Sequence, residues 1–359
     1  MRIIYLINDI TMPGGLSRVT LNLINEFDGL QADLEVKAVS AAGKFSQVVH
    51  DKIDYLDMPP LHGLNPLQKV QWYWQLKCRV EAYIDAQDCD VVIAVGTAMT
   101  LFASFCRFKK AALWGAEHLA HNHYGVLRKA VKRWRYPKLH HLICLTQSDK
   151  ERYYDRYLPS VAVIPNYTNF ADVIVNAESR QAKNILFVGR YNQMKGVDYL
   201  LQVIQQVHPR CPDWHFNLFG EGEQKAWLTA ELAKLGLSEV VTIHDPTSDI
   251  SAEYRKAQFY ILTSRNEGFP MVLLEAQAHG LPIVSFDCET GPAEIISHEQ
   301  DGFLIPAFDV AAFADKVAQL ASDEALRERM SQSALSNRRR FSKEAIIQLW
   351  LAEFHSRMN

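Results

Sequence analysis

A chain of 359 residues exceeds the length at which a single hydrophobic core stops growing, so two domains are expected. Hydrophobic residues make up 48 % and charged ones 22 %, which excludes a disordered chain, and a net charge of −3 gives no ground for a nucleic-acid binder. The six Cys, at 78, 89, 106, 144, 211 and 288, form no CxxC pair, so they read as core residues in a reducing compartment rather than a zinc or redox motif.

The chain opens on Met1-Arg2-Ile3-Ile4-Tyr5-Leu6-Ile7, which is too short, and lacks the small-residue cleavage site, for a signal peptide. It reads as a first strand. Further strands are expected at 34–39, 53–57, 91–95, 111–116, 141–145 and 161–164, with helices at 17–27, 66–86, 126–136 and 148–157. Ser148 followed by Glu151 is a capping-box signal for the last helix. The uncharged run from Val91 to Cys106 is shorter than the ~20 residues that span a bilayer, and Gly96, Thr97 and Thr100 divide it into a strand and a following helix. Continuous apolar strands such as 91–95 suit a parallel sheet covered on both faces, and the βαβα rhythm means an α/β fold.

Residues 167–183 lose this rhythm and read as a linker. Alternation restarts at 184–190, with strands expected at 215–219, 240–243, 259–263, 281–286 and 303–305. The expected division is therefore an N-terminal domain over 1–166, a linker over 167–183, a C-terminal domain over 184–341, and a final helix over 342–359 able to cross back to the first domain.

Four segments carry chemistry. The first runs from Thr263 through Glu267-Gly268-Phe269-Pro270 to Glu275, where a strand ends in a polar turn. Pro270 suits the first helical position, which leaves the amides of Gly268, Phe269, Met271 and Val272 around the positive end of a helix, a place for phosphate or other oxygen-rich ligands. Glu267 and Glu275 are candidate acceptors for sugar or ribose hydroxyls; the plainer alternative has Glu267 capping the helix dipole and Glu275 in water. The second segment, Phe187-Val188-Gly189-Arg190 to Lys195-Gly196, sets two cations on a loop at a strand's carboxyl end, where they suit a diphosphate. The third is the turn Pro13-Gly14-Gly15, whose glycines permit close approach of backbone to a ligand. The fourth, Trp114-Gly115-Ala116-Glu117-His118, ends a strand with a histidine. His121 and His123 lie nearby, but their spacing does not match a helical zinc pair, and no metal site is expected.

Together these segments resemble the retaining glycosyltransferases of family 4, of the bacterial surface-polysaccharide type, which have the GT-B fold of two Rossmann-like domains facing each other across a cleft. Glu267 and Glu275 match that family's E-x7-E motif. Arg190 through Lys195-Gly196 matches its diphosphate-binding segment, and Gly14-Gly15 its N-terminal glycine loop. Thr290-Gly291-Pro292-Ala293-Glu294 and Asp301-Gly302-Phe303-Leu304 are similar to the motifs that follow. The resemblance implies that Arg190 and Lys195 grip the donor's diphosphate, that Glu275 binds ribose, that Glu267 and the amides after it hold the sugar, and that His118 lies near the reacting centre. It implies a UDP-sugar co-substrate, no cofactor and no metal, and a saccharide or lipid-linked acceptor. The stretch Thr242–Thr247 departs from the family pattern where the base is usually met, which leaves the base open.

Residues 126–138 hold six basic side chains and no acidic one. On a helix, Leu127, Ala130, Val131 and Trp134 form an apolar stripe expected to pack inward, and Arg128, Lys132 and Arg135 a basic face open to water or to an anionic membrane. A cytoplasmic protein, peripheral on the inner face of the membrane, is the expectation. Three rivals share parts of the pattern: a non-hydrolysing sugar-nucleotide epimerase, a glycoside hydrolase and a non-catalytic nucleotide-sugar-binding protein.

Overall fold

The first half of the chain runs β1 (Arg2–Asp9), α1 (Gly15–Glu26), β2 (Glu35–Ala42), β3 (Ile53–Tyr55), α2 (Pro66–Ala86), β4 (Val91–Val95), α3 (Gly96–Ala103), β5 (Ala112–Ala116), α4 (Val126–Arg135), β6 (His141–Cys144), α5 (Gln147–Arg152) and β7 (Val161–Val163). The second runs β8 (Asn184–Val188), α6 (Val197–Val207), β9 (His215–Phe219), α7 (Lys225–Lys234), β10 (Val241–His244), α8 (Ile250–Lys256), β11 (Phe259–Leu262), α9 (Met271–Ala278), β12 (Ile283–Asp287), α10 (Pro292–Ile295), β13 (Gly302–Pro306), α11 (Val310–Ser322), α12 (Glu324–Asn337) and α13 (Lys343–Ser356). The computed structural model of the chain describes residues 1–11, 15–27, 30, 34–42, 51–59, 61, 63–170, 173 and 182–356.

The chain divides into two compact units, Met1–Pro165 with Ile347–Asn359, and Asn166–Ile346. Among the described residues, the first unit holds a sheet in the order β3-β2-β1-β4-β5-β6-β7 and the second a sheet in the order β10-β9-β8-β11-β12-β13. Every pairing between these strands is parallel. Each sheet is therefore doubly wound, and the strand order reverses beside its first strand: between β1 and β4, and between β8 and β11. Open sheets of this kind take ligands at the carboxyl ends of the strands flanking that reversal.

Local chemistry explains the elements. All five residues of β4 are buried, as a parallel strand covered on both faces requires. Asn65 and Gln68 close a capping box at the start of α2, Pro66 opens the helix, and Trp72, Leu76, Val80 and Ile84 bury one stripe at four-residue intervals. The last helix begins in the second unit and ends in the first. There Trp350 packs against Tyr5 (6.2 Å) and Phe354 against Phe27 (5.5 Å), while Glu353 meets His141 Nε2 at 3.0 Å. Among the described residues, no helix is long and apolar enough to cross a membrane.

Three expectations about the first unit need correction. The N-cap of α5 is Thr146, whose hydroxyl accepts the Asp149 amide at 3.1 Å, and Ser148 lies inside the helix. Cys78 is exposed on α2, whereas Cys89, Cys144, Cys211 and Cys288 are buried. The faces of α4 are inverted: Leu127 is 80 % and Trp134 64 % exposed, while Lys132 is fully buried and Arg135 is 6 % exposed. The cause is a buried carboxylate. Glu117 lies 3.3 Å from Lys132 Nζ, and pairing that charge outweighs burying the apolar stripe.

Candidate active site

The loops that follow β8 and β11 meet beside the reversal of the second sheet. Gly196 precedes α6 in a left-handed conformation (φ +65°), and a Cβ there would lie 1.9 Å from the Thr263 carbonyl oxygen. Only glycine lets the two loops approach so closely. Thr263 Oγ1 then donates to the Lys195 carbonyl (3.1 Å), and the Arg265 amide to that of Met194 (2.8 Å). Arg265 also grips Asp198 with two bonds of 2.6 Å and lies 4.1 Å above the ring of Tyr199. This pairing holds the Asp198 carboxyl below the usual carboxylate range.

The join brings two of the candidate residues together. Lys195 Nζ and Glu267 Oε1 are 2.6 Å apart, both largely shielded from water. Arg190, on the same loop as Lys195, is exposed. The Glu267 carbonyl accepts the hydroxyl of Thr290 at 2.5 Å, and Gly291 at φ +95° packs against Gly268 and Pro270. Pro270 stands one residue outside the helix it was expected to open: its ψ of 108° is extended and α9 starts at Met271. Phe269 is buried against Phe341, so only its amide could serve a ligand. Gly268, Met271 and Val272 are half-buried around the same turn.

Glu275 is buried rather than in water, and Tyr254 donates to its Oε2 at 3.1 Å. Behind it, His279 Nδ1 donates to the Glu275 carbonyl (2.7 Å), so Nε2 is the atom that meets Ser251 Oγ (2.7 Å). His279 also stacks on Tyr254 at 5.1 Å. Tyr254, His279, Asp198 and Arg265 were not singled out in the sequence. Tyr254, Asp198 and Arg265 act through partners distant in the chain, as His279 does toward Ser251, and such pairs leave no local pattern.

In the first unit, β5 delivers Glu117 and His118. Glu117 accepts the hydroxyls of Thr97 and Tyr136 as well as the Lys132 contact, and Lys132 Nζ lies among the rings of Tyr124, Tyr136 and Tyr154 at 5.0–5.2 Å. His118, the next residue, is half-buried. Burial pushes its imidazole down to about 4, against the opposing pull of Glu117. The ring is therefore uncharged at neutral pH and offers a neutral donor and acceptor. His121 stacks on Tyr153 (4.2 Å) and His123 packs edge-on against Tyr124 (5.4 Å). Gly14 lies outside the described residues, and Gly15 begins α1.

The sequence family "Glycosyl transferases group 1" matches residues 171–336 and "Glycosyltransferase Family 4" matches residues 13–171. An uncharacterized glycosyltransferase of Haemophilus influenzae is 27 % identical over 96 % of this chain and 98 % of its own length. The amylovoran biosynthesis glycosyltransferase AmsD of Erwinia amylovora is 32 % identical over 67 % of this chain and 69 % of its own length. The crystal structure of HepE from Anabaena, in complex with UDP, shares the fold at a TM-score of 0.83 with 19 % identity, covering 99 % of this chain and 100 % of that one. The chain belongs to the group 1 glycosyl transferases, within glycosyltransferase family 4, and its two parallel-sheet Rossmann-like domains are those of the GT-B fold.

Proposed function

We propose that the chain moves a hexosyl or N-acetylhexosaminyl unit from a UDP-sugar to a saccharide or lipid-linked saccharide, with retention at the anomeric carbon, in surface glycan synthesis. The reading is carried by one observation: the loops bearing Lys195 and Glu267 are joined at the strand reversal of the second sheet, with Arg190 exposed on the same turn. A relative with UDP bound and another named for amylovoran biosynthesis support the donor and the pathway class.

On this reading the second unit holds the donor and the first the acceptor. The diphosphate draws Lys195 partly away from Glu267 and takes Arg190 as a second cation. The acceptor hydroxyl then arrives on the face from which UDP departs, and the departing phosphate takes its proton. The two protein cations offset the negative charge that develops on the leaving group, the task a metal performs in other transferases. Glu267 holds the sugar, Glu275 the ribose, and His118 hydrogen-bonds near the reacting centre as a neutral ring. An anionic membrane surface meets residues 126–138. This is supported by exposed Leu127 and Trp134 beside exposed Arg128 and Arg133, in place of the basic face first expected.

The test is UDP release from a panel of UDP-sugars, with and without saccharide acceptors, in the presence of EDTA. Acceptor-dependent release that survives EDTA, with an axial-for-axial product by NMR, is expected. Interconversion of the UDP-sugar without UDP release would make the protein an epimerase. Complete loss in EDTA restored by Mg²⁺ would remove the two cations from the role given them.

A further inference from the structure

A cavity of about 600 Å³ opens in the first unit, between the segment after α3, the start of β5 and the end of α4. It lies at the amino ends of β5 and β6, the opposite sheet edge from His118. Its lining includes Arg107, Arg135, Lys138 and His140, with Phe105 and Phe108, and no Asp or Glu among the described residues. Arg135 is the unusual member. Only 6 % exposed, it has no carboxylate partner among the described residues and donates to Ser104 alone, through Nε to Oγ at 3.3 Å and through Nη2 to the carbonyl.

A buried cation is normally paired or fully hydrogen-bonded. Lys132, one turn earlier on the same helix, follows that rule through Glu117. Arg135 instead has the ring of Phe105 at 4.0 Å and that of Trp134 at 5.0 Å. Guanidinium N–H groups lie in its plane, where one anion can meet two of them at once, as in a bidentate phosphate contact. The acidic side chains that meet the segment after α3 are engaged: Glu81 with Lys77 and the Arg107 amide, and Asp85 with Lys109.

The surface running from the cavity along α4 points to the source of the phosphate. Phe105 and Trp134 are exposed and in contact at 6.1 Å, and Leu127 is exposed two turns back along α4, about 10 Å away at the helical rise. A soluble phosphate has no use for apolar side chains standing in water beside it, whereas a bilayer interface covers them. We propose that this cavity binds the phosphate of an anionic phospholipid headgroup, with Phe105, Trp134 and Leu127 entering the acyl boundary beside it. The proposal deepens the membrane reading and rests on it for the source of the phosphate, not for the anion site itself.

The test is co-sedimentation of the full chain with phosphatidylcholine vesicles, with and without phosphatidylglycerol, alongside NMR titration with glycerol 3-phosphate. The expected result is retention on the anionic vesicles that weakens with salt. Lys138→Ser and Arg135→Gln should each reduce it about fivefold. Leu127→Ser should lower vesicle binding while leaving the glycerol 3-phosphate shifts intact. Lys138 and Leu127 are exposed, so those two variants keep the test decisive if Arg135→Gln fails to fold. Anionic vesicle binding unchanged in Lys138→Ser and Arg135→Gln would overturn the cavity's role and leave the membrane reading standing. Equal binding to neutral and anionic vesicles, or glycerol 3-phosphate binding without vesicle binding, would overturn the lipid source.

Discussion

Lys132 illustrates how a single buried charge redirects a helix. The spacing of Leu127, Ala130, Val131 and Trp134 is that of an inward-facing stripe, and periodicity alone gives no hint that Glu117 waits beneath the helix. Removing the lysine should therefore cost far more than a surface change. Lys132→Met leaves the Glu117 carboxylate buried beside two hydroxyls, and a loss of about 3–5 kcal/mol is expected in denaturant unfolding. A loss within the range of an exposed pair would refute the burial. The neighbouring His118 gives a pH test. Its imidazole falls from the ordinary 6.5 to about 4 in the folded chain, so the unfolded chain binds the extra proton in between. The His118 contribution is therefore nil above pH 6.5 and destabilises the fold as pH falls from 6.5 to 4. His118→Gln should flatten that decline, and NMR should find the ring neutral throughout the neutral range. Titration of His118 at its ordinary value would contradict the burial argument. In the second unit, Arg190→Ala and Lys195→Ala should each cost about 2–4 kcal/mol of transition-state stabilisation in kcat/KM. Glu267→Gln should impair transfer more than UDP binding, and Glu275→Gln should weaken UDP itself. Normal UDP binding and transfer in both glutamine variants would reduce the pair to structural residues.

At the scale of elements, strands were legible as continuous apolar runs, all five residues of β4 being buried, and helices such as α2 as stripes at a period near 3.6. Beginnings of helices were less so. Thr146 caps α5 in place of Ser148, and Pro270 stays outside α9, because caps are decided by backbone turn geometry that nearby residue types satisfy in more than one register. The site loops were readable as charged turns at strand ends, but not their bracing. Gly196, whose absent Cβ leaves room for Thr263, and Arg265, held by Asp198, fix how Lys195 faces Glu267. Gly196→Ala should force the two loops apart, lowering the melting temperature and abolishing UDP binding together. Unchanged UDP affinity in that variant would show the approach to be dispensable. Arg265→Lys loses the two-bonded grip on Asp198 while keeping the charge, so the expected effect is a raised KM for donor with kcat less affected. An equal fall in both donor binding and thermal stability would mark Arg265 as a fold residue only.

For the whole molecule, the two doubly wound sheets and the family were legible because alternation and the Glu267–Glu275 segment survive in sequence. The point where the chain returns to the first unit, at Ile347, lies inside one continuous helix and leaves no break to read. That return gives the first unit a helix from the end of the chain, anchored by Trp350 and Phe354. On the proposed function, the second unit binds a UDP-sugar diphosphate through Lys195 and Arg190. The decisive measurement is calorimetric titration of the full chain with UDP, in EDTA. The predicted result is saturable binding at one site, weakened by about tenfold or more in Lys195→Ala and in Arg190→Ala, as loss of a charge-assisted contact requires. Absence of UDP binding, or equal affinity in the wild type and both variants, would contradict it.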